Sequence, residues 1–169
     1  MNRPGAVPFD AVTVSRRPPR RSAASRIPNP GRIGAPAAGV ISGLALVLAV
    51  FMPWYATNVG PPFAPTSASG WDATAFARIA LAMGLLIAAA AAAAVLDERR
   101  LITLAARHLD ALAWVVVGAS AIALLAVGFR LLVMPDPAEL LSRQIGLYVA
   151  VAASVGGILS GLGQVATHR

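Results

Sequence analysis

Long uncharged runs alternate with short charged clusters along this chain of 169 residues. Four runs stand out: 39 residues from Ile33 to Trp71, 18 from Ile79 to Leu96, 19 from Ala111 to Phe129 and 24 from Gln144 to Thr167. A helix rises about 1.5 Å per residue, so about 20 apolar residues cover the roughly 30 Å hydrocarbon core of a bilayer. The pattern predicts an all-α, four-helix transmembrane bundle, up-down-up-down, with helices over about 37–55, 73–96, 111–134 and 140–166.

The breaks between the runs carry local signals. Pro53 falls in the last turn of the first helix, and Trp54-Tyr55 follows as an aromatic pair suited to a membrane interface. The loop to Asp72 holds Pro61, Pro62 and Pro65 and no basic residue, and Trp71 returns to the same interface. Asp97-Glu98-Arg99-Arg100 opens a connection to Asp110, expected to continue as helix along the membrane surface. Trp114 and Tyr148 complete the expected interfacial anchors. Before the fourth helix, Asp136 reads as an N-cap, Pro137 suits the first helical position, and Glu139 sits three residues after the cap.

Composition agrees with a membrane domain. Hydrophobic residues are 57% of the chain and charged residues 12%, against about 45–50% and 25% in soluble domains. Residues 1–36 differ: they hold seven Arg, seven of the 13 Pro and a single acid, Asp10. Proline at that density blocks regular structure, and few apolar residues remain to offset ordering entropy, so a disordered basic tail is expected. Ser15-Arg16-Arg17 resembles a twin-arginine signal, but Pro18-Pro19 follows and no small-x-small site closes the first helix. A retained tail is the preferred reading. Eleven arginines fall on the tail, the 97–110 connection and the C-terminus, against three (Arg78, Arg130, Arg143) on the opposite side. That bias places both termini in the cytoplasm of a bacterial cell, with the chain in its cytoplasmic membrane.

Pro53-Trp54-Tyr55, Ser69-Gly70-Trp71-Asp72, Arg130, a Pro-containing turn and a glycine-bearing fourth helix together resemble a loosely defined set of small four-helix membrane proteins. That set comes from actinobacteria and related high-GC bacteria. The similarity covers about residues 37–165 and implies the four-helix architecture, without an activity.

Candidate sites are few. Arg78 and Arg130 lie near helix ends, where a charge at membrane depth is expensive unless it snorkels or is paired. Asp72, Asp136 and Glu139 on the same side are candidate ion-pair partners. Small residues four apart, Gly39 and Gly43 in the first helix and Ala153, Gly157 and Gly161 in the fourth, form ridges that let backbones approach closely. Packing within one chain is the preferred use, and homodimer formation the alternative. In the tail, Arg16, Arg17, Arg20, Arg21, Arg26 and Arg32 are expected to contact anionic headgroups, since the cytoplasmic leaflet supplies such partners at once. Aromatic interleaving is absent from that tail, so nucleic acid is not the expected partner.

The chemistry of a catalyst is missing from the pattern. The absence of cysteine removes disulfides, thiolate catalysis and cysteine metal sites. Asp97, Glu98, His108 and Asp110 match no metal-site spacing, and the chain has no P-loop, GxGxxG or HExxH. No cofactor is expected. The intramembrane polar residues, Ser42, Ser120, Ser154, Ser160 and Gln164, suit helix contacts better than a transport path. The expected function is that of a non-enzymatic structural or accessory membrane subunit. A small oligomeric transporter or channel-like protein is the alternative, and an enzyme on lipid or envelope substrates ranks third.

Overall fold

The computed structural model describes residues 30–57, 62, 64, 66–134 and 140–168. In chain order the elements are α1 (Pro30–Phe51), β1 (Pro53–Thr57), β2 (Ser67–Ser69), α2 (Gly70–Ala73), α3 (Ala75–Glu98), α4 (Ala106–Leu132), β3 (Leu141–Arg143) and α5 (Ile145–His168). The helices α1, α3, α4 and α5 each contain a stretch long and apolar enough to cross a membrane.

Each long helix packs on its two neighbours in a closed square, α1 on α3, α3 on α4, α4 on α5 and α5 on α1. Antiparallel contacts run along the seams. On α1, Gly39 lies against Ala91 and Ser160, and Gly43 against Gly84 and Ala88; on α5, Gly157 faces Ser120 and Gly161 faces Val117. The centre is filled by Leu46, Val50, Ile87, Val116, Val127 and Leu147, interleaved with alanines. Bulky side chains at a few levels and alanine elsewhere let four backbones converge closely. Large apolar residues such as Ile41, Leu48, Leu85, Leu125 and Leu159 point away from this core. That arrangement suits a surface in contact with lipid tails.

The all-α expectation needs one correction: a three-stranded antiparallel sheet, in the order β2-β1-β3, caps one end of the bundle. Its origin lies in Pro53. Proline has no N–H, so α1 stops at Phe51 instead of running to Tyr55, and the next residues become extended. Backbone groups at a membrane end need partners. Tyr55 to Thr57 find them on β3, and Pro53 to Ala56 on β2, with a register shift between Pro53 and Tyr55. The same pairing delays the last helix, which begins at Ile145 and not near residue 140.

Two further boundaries differ. Pro30–Pro36, expected in the tail, belongs to α1, whose first residue is a proline and so lacks only an N–H that would have no helical partner. Residues 1–29 lie outside the described residues. The 97–110 connection turns sharply and is not helical between α3 and α4. Arg100 adopts φ 57°, Leu101 N–H donates to the Leu96 carbonyl at 3.0 Å and Arg100 N–H to that of Asp97 at 2.8 Å. This double bond pattern is the Schellman closure, with arginine where glycine is usual. The Asp97 carboxylate then accepts the Leu104 N–H at 2.7 Å, holding the turn closed.

Candidate functional site

Trp54, Tyr55, Trp71, Arg78 and Arg130, all singled out in the sequence, gather at the sheet end of the bundle. Trp54 is the centre of that assembly. Pro53 cannot donate to the Ala49 carbonyl, and the Trp54 indole does so in its place, Nε1 to O at 2.7 Å. The ring is fully enclosed. A Cβ added at Gly70 would stand 2.5 Å from the indole, and one at Gly146 2.9 Å from it, so these two glycines form the walls of its slot. The backbone closes the frame: Gly70 N–H reaches the Met52 carbonyl at 3.3 Å and Gln144 N–H the Trp54 carbonyl at 2.9 Å. The Trp54 indole thereby ties together α1, α2 and α5, and its backbone carbonyl holds Gln144, the residue between β3 and α5. Truncating a buried tryptophan costs about 3–5 kcal/mol.

Trp54 and Tyr55, expected as interfacial anchors, are therefore interior residues, 0% and 2% exposed. Folding the loop into a sheet turned them inward. Trp71 remains exposed at 41%, as do Trp114 at 53% and Tyr148 at 52%. Trp71 stacks on Phe51 at 6.3 Å and carries the Arg78 guanidinium over its ring at 5.2 Å.

Of the partners foreseen for Arg78 and Arg130, Asp72 is the one among the described residues, and it pairs with neither. Asp72 instead accepts the Ser69 hydroxyl at 2.7 Å, while its N–H donates back to Ser69 Oγ at 3.3 Å. Ser69 thus N-caps α2 through its hydroxyl, which itself donates to the Asp72 carboxylate. Asp136 and Glu139, the other expected partners, lie outside the described residues. Arg130 rests its guanidinium over Phe76 at 5.3 Å, and Phe76 in turn meets Phe129 at 5.3 Å. The Arg130 Nε is enclosed and has no hydrogen-bond partner among the described residues. A buried donor left unpaired costs about 1–3 kcal/mol.

Tyr55 joins this group from the sheet. Its hydroxyl donates to the Arg130 carbonyl at 3.1 Å, and its backbone is paired directly with Arg143 on β3. Burial pushes the Tyr55 phenol above its ordinary value, and the positive charges of Arg130 and Arg143 pull it part of the way back. Both guanidinium groups thus act on one buried phenol. Next to Phe76 opens an apolar groove of about 710 Å³, lined by Ile79 of α3 and Ile122, Leu125, Gly128, Phe129 and Leu132 of α4.

The remaining expected residues are structural in their surroundings. Gly39, Gly43, Gly157 and Gly161 sit at helix crossings, and Ala153 belongs to the core. Ser160 Oγ donates to the Ala35 carbonyl across the α5–α1 seam at 2.7 Å, and Gln164 backs it at 3.2 Å. Arg16, Arg17, Arg20, Arg21 and Arg26 lie outside the described residues, and Arg32 falls in α1. Among the described residues no three His, Asp or Glu side chains group as a metal site. No protein-family model matches the chain, and no curated protein is similar to it.

Proposed function

We propose that the protein is a non-enzymatic integral membrane subunit, with both termini in the cytoplasm, whose sheet-capped end presents a fixed surface to a partner outside. One observation carries this reading: the described strands after α1 and after α4 are joined in a single sheet packed around Trp54, so these strands form one fixed unit. Rigid, pre-formed surfaces lose less entropy on binding than mobile loops. The filled bundle core supports the same reading, since Leu46, Val50, Ile87, Val116 and Leu147 leave the axis to side chains and not to solute. The orientation rests on the eleven-to-three arginine bias.

Photocrosslinkers placed at the exposed Thr66 and at the lipid-facing Ile41 in native membranes test the proposal. A discrete adduct from Thr66 and a lipid-only pattern from Ile41 is the expected result. Solute flux through liposomes holding the purified protein alone would replace the proposal with an oligomeric transporter.

A further inference from the structure

The groove and Arg130 share an aromatic ring, and that juxtaposition defines a ligand with two chemical ends. Phe76 lines the groove on one side and carries the Arg130 guanidinium at 5.3 Å on the other. A ring face attracts the guanidinium charge without accepting a hydrogen bond from its N–H fork. That fork matches the oxygens of a phosphate or carboxylate. The enclosed Arg130 Nε has no acceptor among the described residues, so this donor set is incomplete.

The groove is suited to a hydrocarbon chain. Ile122, Leu125, Phe129 and Leu132 recur three and four apart along one stripe of α4. Ten residues of helix cover about 15 Å, which is half of the roughly 30 Å hydrocarbon core and hence the depth of one leaflet. Gly128 lies in the lining, and a Cβ built on it meets nothing within 4 Å, so the hollow exists because this position carries no side chain.

We propose that the groove between α3 and α4 at the sheet end holds one acyl chain of an anionic phospholipid, with its phosphate on the Arg130 guanidinium. Arg143, paired with Tyr55 in the sheet, adds a second positive charge on the headgroup side. The influence of both arginines on the Tyr55 phenol is consistent with their convergence on one small region. Arg78 stands apart on Trp71 and serves as the internal control. The site is independent of the subunit role proposed above.

Native mass spectrometry of the purified full chain, titrated with phosphatidylglycerol or phosphatidylcholine of identical acyl chains, provides the test. One phosphatidylglycerol should bind roughly five- to tenfold more tightly than phosphatidylcholine, the scale of one lipid-facing arginine. Arg130→Gln should abolish that preference, whereas Arg78→Gln should keep it. Gly128→Leu fills the groove from open space, leaves every charge in place, and should weaken binding of phosphatidylglycerol by a similar factor. If Arg130→Gln does not fold, the wild-type lipid comparison and Gly128→Leu decide the matter. Equal binding of the two lipids, or equal losses from Arg78→Gln and Arg130→Gln, overturns the proposal. So does displacement by inorganic phosphate with Gly128→Leu unaffected, which would indicate a free-anion site. A co-purifying polypeptide that occupies the groove in place of lipid would overturn it as well.

Discussion

Arg100 closes α3 in the left-handed conformation, with φ 57°, at a position that usually belongs to glycine. A side chain there costs about 1–2 kcal/mol; glycine removes that strain but loses about 0.4–1 kcal/mol through its greater freedom in the unfolded chain. Arg100→Gly should therefore stabilise the protein by about 0.5–1 kcal/mol, read as a higher unfolding midpoint in mild detergent. A lower midpoint would mean that the guanidinium makes a contact worth more than the strain. Tyr55 makes a prediction of the opposite kind, one of pH. Its phenol is raised by burial, so the fold favours the protonated form. The stability this contributes is complete below about pH 10, the ordinary tyrosine value, and is lost as pH climbs through the higher folded value. Tyr55→Phe should flatten that alkaline loss in a pH series of unfolding midpoints, at the expense of the hydrogen bond to the Arg130 carbonyl.

Among the elements, the long helices were legible and the strands were not. Uncharged runs of 18 residues and more announce α1, α3, α4 and α5, because only helices of that length satisfy their own backbone in lipid. The strands have five, three and three residues and come from distant segments, the Ser142 hydroxyl reaching the Ala56 carbonyl 86 residues away. Alternation over three residues carries no readable period. Local chemistry was partly visible: Pro53 marked the close of α1 to within about a turn, whereas the Ser69 cap of α2 lies in a segment expected as loop. What no pattern could supply was Phe76 beneath Arg130, since that contact joins the start of α3 to the end of α4. At the helix seams the expectation is testable directly. A Cβ on Gly161 would stand 2.6 Å from Val117 Cγ2 and 3.0 Å from its backbone nitrogen, and one on Gly157 would collide with Ser120. Replacing both glycines by leucine should force α5 from α4 and abolish folded protein on size-exclusion chromatography. Wild-type elution and melting would reassign that ridge to a lipid-facing role.

For the whole molecule, four candidate spanning helices among the described residues go with the proposed orientation, in which both termini lie on the arginine-rich, cytoplasmic side. Reporters fused after Arg169 and inserted after Arg107 should read cytoplasmic, and one near Pro62 should read external; any mixed pattern would contradict the four-span topology. The sheet adds a consequence in time. Its central strand, β1, ends at Thr57 and receives β2 from Ser67 onward, but its other neighbour is encoded only at Leu141–Arg143. While α3 and α4 are being laid into the bilayer, one edge of β1 therefore stands open. Open strand edges invite foreign pairing. The closing strand thus works as a completion mark, so a chain terminated after Leu132 should insert its first three helices yet be cleared by envelope proteases far faster than the full chain in a pulse-chase experiment.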